Sequence, residues 1–159
     1  MKQIVSEEIV RQVIDVYDAA TPEEHDRLAA RCGRFQHELT GFVVAWSQDL
    51  PERECALVIG LLPMIYDAFI RSGARFRQVR HNEVVHAWKL SAAFIRDLKR
   101  DENDTRYAEP EALAFMLDMM LDREPATLVD EAPQLVAARI LQTVIACLNR
   151  AGTPLPSRK

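Results

Sequence analysis

The chain has 159 residues, 48% of them hydrophobic and 28% charged, with a formal net charge of -4. That composition suits one soluble domain able to bury a core without metals or disulfides. Five glycines are too few and too scattered for an all-β fold or a glycine-rich nucleotide loop.

The amino terminus turns acidic and amphipathic within a few residues, unlike the basic, apolar and small-residue order of a secretory signal. The longest apolar run, Cys55 to Tyr66, is shorter than the roughly 20 residues a bilayer crossing needs and contains Pro63. No membrane span is expected, and the default location is the cytoplasm of a bacterial cell.

After Ser6, Ile9, Val10, Val13, Ile14 and Tyr17 recur at helical spacing, predicting a first helix that ends near Ala20. Thr21, Pro22 and Glu24 form a capping signature for a second helix running to about Gln48, with Leu28, Cys32, Phe35, Leu39, Phe42, Val43 and Trp46 as its stripe. Asp49 and Pro51 restart the chain into a central helix that is apolar on every side. Pro63 has no amide to bond back to Ile59, so this segment should kink or divide there before Gly73 closes it.

A further helix is expected from Asn82, carrying Val84, Val85, Trp88, Ala92, Ile95 and Leu98. The stretch from Lys99 to Thr105 reads as a charged loop. Another helix starts at Glu109 or Pro110 and buries Leu113, Phe115, Met116 and Met120. The last one follows Asp130 and Glu131, carries Leu135, Ile140, Val144 and Leu148, and ends at Asn149 and Gly152. The expected architecture is an all-α single-domain helical bundle of five to seven helices over 1–152, with 153–159 as a flexible tail.

Charge is unevenly spread. Residues 61–106 contain nine bases and six acids, whereas residues 1–60 contain six bases and eleven acids. Arg71, Arg75, Arg77 and Arg80 fall in an acid-free window, which makes them candidates for anion binding because guanidinium forks grip phosphate and carboxylate. No aromatic interleaf, P-loop or recognition helix accompanies them, so nucleic acid is an unfavoured partner.

Glu83 and His86 form an E-x-x-H pair one helical turn apart, and with His81 they are the candidate metal ligands. The second pair and extra glutamates of a dimetal bundle are missing, and no cofactor is expected. His86 and Lys89 fall on the wet side of their helix. The segment His86-Ala87-Trp88-Lys89-Leu90-Ser91 resembles the H-x-x-K stretch of histidine phosphotransfer domains, with Leu90 standing where that family commonly has glycine. The resemblance implies a helical bundle in which His86 accepts a phosphoryl group from a response-regulator aspartate and Lys89 stabilises it.

Cys32, Cys55 and Cys147 each sit among apolar neighbours and read as reduced structural thiols. No Ser or Cys shows a nucleophile context, so enzymatic activity is not the leading expectation. Trp46, Trp88 and Met119 are the candidate interface residues. The leading expectation is a helical protein that self-associates into a homo-oligomer or binds another protein without catalysis. Histidine phosphotransfer through His86, anion or nucleic-acid binding through Arg71–Arg80, and a metal-binding bundle are the alternatives.

Overall fold

The computed structural model describes residues 3–99, 109–120 and 132–153, the side chains of 97–99, 117–120, 132 and 153 excepted. Among these residues are seven helices: α1 (Glu7–Ala19), α2 (Pro22–Phe35), α3 (His37–Ser47), α4 (Glu52–Arg71), α5 (His81–Lys99), α6 (Pro110–Met120) and α7 (Ala132–Ala151). The fold is an all-α bundle. Two short strands, β1 (Arg75–Phe76) and β2 (Gly152–Thr153), pair antiparallel with Phe76 opposite Gly152. Among the described residues no helix is long and apolar enough to cross a membrane.

Local signals set the first two helix starts. The Ser6 hydroxyl accepts from the Ile9 amide, and Thr21 and Glu24 close a reciprocal capping box, satisfying donors that a bare helix end would leave open. The expected single helix from Thr21 to Gln48 is divided at Gln36, which leaves helical geometry at φ -132° and ψ 57°. The cause is tertiary. The buried Gln36 amide donates to the Arg77 carbonyl at 3.0 Å and accepts from the Val79 amide at 2.9 Å. It thereby satisfies the extended segment between β1 and α5, whose backbone lacks helical partners.

The helix α4 runs through Pro63 as one element, so of the expected kink or division the division does not occur. It packs against α1, α2, α3, α6 and α7, and this burial offsets the roughly 3 kcal/mol local cost of an interior proline. Gly73, at φ +77°, closes the segment after α4 in a conformation that glycine adopts without Cβ strain. The centre is shared rather than single: α7 buries Ala137, Ala138, Ile140, Leu141, Val144 and Leu148 against Phe69 and Ile65 of the same core cluster.

Segments near both ends of the described residues are tied to this core. Glu109, just before α6 and 1% exposed, accepts from the Ile4 and Val5 amides at 2.7 and 2.9 Å and from Asn149 Nδ2 at 2.6 Å. Burial raises its pKa above the usual carboxylate value, and the three donors oppose that shift. At Gly152 a Cβ would come within 2.6 Å of the Phe76 ring and 2.9 Å of Ile4 Cδ1, so any larger residue there would require those side chains to shift. Thr153, expected as the first residue of the tail, is instead paired opposite Arg75; 154–159 lie outside the described residues.

Candidate protein-association surface

The α5 periodicity is rotated from its expected position. Val84, Ala87, Ser91 and Phe94 are buried, whereas Val85 and Ala92, expected inside, are exposed. Leu98 lies among the side chains that are not described. The small residues Ala87 and Ser91 lie on the buried face, and α5 makes its most extensive helix contact with α7. Val85 is consequently turned outward beside α3.

The α3 and α5 helices lie side by side and run in the same direction. Glu38 Oε2 stands 3.7 Å from His81 Nδ1 at one end, and the Trp46 and Trp88 ring centres are 4.5 Å apart at the other. At 1.5 Å rise per residue this defines a groove about 11 Å long. It encloses about 380 Å³ and is lined by Gly41, Phe42, Ala45, Trp46, Val84, Val85 and Trp88, with Glu38 and His81 at the amino end. The Phe42 ring meets Trp88 edge-on at 5.7 Å and Trp46 at 6.2 Å, a packed aromatic set rather than three rings spread around an empty centre.

This set is held from below. The Arg139 guanidinium stacks 3.8 Å from the Trp88 ring centre, donates from Nε to Ser91 Oγ at 2.7 Å and from Nη2 to the Trp88 carbonyl at 2.8 Å. Burial lowers its pKa from the usual value. Trp88 is half-buried and fixed by this stack. Trp46 is 48% exposed and projects its ring over the groove. From Leu39 to Gln48 the α3 sequence has no charged residue, although Gly41, Val44, Ala45, Trp46 and Gln48 are exposed.

The other sequence candidates are distributed as follows. Arg71 is paired to Asp67, Nε to Oδ2 at 2.9 Å, and Arg77 grips Glu83 with both terminal nitrogens at 2.8 and 2.5 Å. Arg75 and Arg80 are exposed. The window is thus split between two internal ion pairs and two separate surface cations. Glu83 also accepts from the Arg80 amide at 2.9 Å, and the neighbouring Arg77 holds its carboxyl well down, at about 2.

With those contacts Glu83 serves as a cap and ion-pair acceptor. His81 is exposed, with Nδ1 3.7 Å from Glu38 Oε2. Among the described residues no three His, Cys, Asp or Glu side chains are arranged to hold a metal ion. His86 is exposed in a second, open cleft of about 390 Å³ with Arg77, Asn82, Glu83 and Arg150. Lys89 is exposed outside that cleft. The Met119 side chain lies outside the described residues.

Sequence reasoning does not single out Arg139; the signal available is that it is the lone charged residue between Leu135 and Ile145, where a covered charge needs partners. No family model, curated protein or solved structure shows significant similarity to the chain.

Proposed function

We propose that the protein is a non-catalytic association module whose contact surface is the aromatic groove between α3 and α5. The single observation that carries this is Trp46, nearly half exposed on an uncharged helix face, beside a Trp88 ring fixed by Arg139. Aromatic anchors in a rigid setting dominate binding energy at protein interfaces because they remove much area from water at small entropic cost. The apolar lining of the groove supports a binding surface.

Replacing Trp46 with glutamate tests this. The side chain is outside the core cluster, so thermal stability stays within a few degrees, while assembly measured by light scattering and by co-purification of a tagged chain is lost. Assembly that persists in Trp46→Glu contradicts the reading.

A second reading rests on His86, which is exposed and shares its cleft with Arg150 and Asn82, as a phosphoryl carrier requires. Its test is phosphate transfer from a response regulator, retained in Lys89→Ala at reduced rate and abolished in His86→Gln. The Glu83 carboxylate in the same cleft opposes a bound anion, and this reading is therefore second.

A further inference from the structure

We infer that the groove's occupant is a second copy of this chain, docked by a two-fold axis that sets Glu38 of each copy against Lys89 of the other. The inference rests on the association reading above and names its partner and register.

The groove carries an acid at one end: Glu38 lies on its lining, and its side chain is 41% exposed. The imidazoles of His37 and His81 stand 3.8 and 3.7 Å away, beyond strong hydrogen-bond distance. Beyond the opposite end, outside the groove lining itself, Lys89 is exposed one helical turn after Val85 on α5. Lys89 has no ion pair among the described residues.

Between acid and base the surface is apolar and small, with Gly41, Ala45 and Val85 beside the Trp46 ring. Nothing lies within 4 Å of a Cβ built at Gly41, leaving room for another helix to approach. A face with an acid at one end, a base at the other and an uncharged middle is complementary to itself. A two-fold axis in the contact plane, midway between Glu38 and Lys89, forms the ion pair twice and packs the two apolar centres together. A heterologous partner would have to supply the same pattern reversed; a second copy already has it.

The test is sedimentation velocity over a concentration series with wild type, Trp46→Glu, Glu38→Lys, Lys89→Glu and the double exchange Glu38→Lys/Lys89→Glu. Wild type sediments as a dimer. Each single exchange turns two attractions into two repulsions and weakens the dimer about tenfold, and the double exchange recovers affinity to within about threefold. A wild type that is monomeric throughout overturns the second-copy inference while leaving association with another protein intact. A dimer that survives Trp46→Glu overturns the groove reading itself. A dimer lost in Trp46→Glu but not recovered by the double exchange overturns the Glu38–Lys89 register alone.

Discussion

The guanidinium carbon of Arg139 lies 3.8 Å from the centre of the Trp88 ring, so one face of that tryptophan is covered by a cation from α7. Two hydrogen bonds to Ser91 and the Trp88 carbonyl fix the cation in place. Replacing Arg139 with methionine retains apolar bulk but removes the stack and both bonds, and urea denaturation will show a loss of about 1–3 kcal/mol. Arg139→Lys recovers less than half of that, because an ammonium group cannot lie flat on the ring while donating to two acceptors. Equal stability of Arg139→Met and wild type would remove Arg139 as the support of the groove.

Gly41 and Gly60 lie in helix interiors with nothing within 4 Å of a built Cβ. Alanine at either position will raise folding stability by about 0.5–1 kcal/mol. They differ in location: Gly41 lines the groove and Gly60 does not. Gly41→Ala will therefore weaken assembly while raising the melting temperature, whereas Gly60→Ala will only raise it. A pair of variants with the same assembly constant would place the contact elsewhere.

The Arg77–Glu83 pair makes stability pH-dependent. The folded Glu83 carboxyl titrates at about 2, below its ordinary 4.5. Its contribution is complete above the unfolded value and is lost as pH falls through the folded one. Glu83→Gln will cost about 1–2 kcal/mol at pH 6, allowing for the half-exposed Arg77 partner. The gap from wild type will shrink by more than half at pH 3, as read from urea midpoints at the two pH values. A gap that stays constant would mean that the charge of Glu83 contributes nothing.

The helical class was legible because apolar residues recur at helical spacing and because Ser6, Thr21 and Pro110 mark starts that the structure keeps. What periodicity could not reveal was set by distant partners. Gln36 divides a helix because its side chain bonds to Arg77 and Val79, more than 40 positions later. The buried α5 face differs from the one periodicity predicts: Ser91, polar by composition, is buried and accepts from Arg139. Trp46 and Trp88 were visible as interface candidates, yet their pairing required α3 and α5 to lie side by side. That juxtaposition follows from the chain break at Gln36.

The cysteines will separate by reactivity. Burial pushes the Cys32 thiol up to about 11 and the Cys147 thiol up to about 12, so neither forms thiolate at neutral pH, and both are sterically covered. Cys55 is half-buried. Native protein at pH 7.5 will react with a colorimetric disulfide reagent at one thiol per chain, lost in Cys55→Ser, and at all three of its cysteines once denatured. Rapid native labelling of Cys32 or Cys147 would show that the core opens there.

The most direct test of the association surface places a photoreactive benzoylphenylalanine at Ala45, on the groove, and another at Glu8 on the exposed side of α1. Irradiation at working concentration is followed by mass spectrometry of the adducts. Position 45 will give an efficient adduct, mapped to a protein segment that includes α3 or α5 of a second copy, and position 8 only background. Equal, background-level labelling from both positions would contradict the association surface.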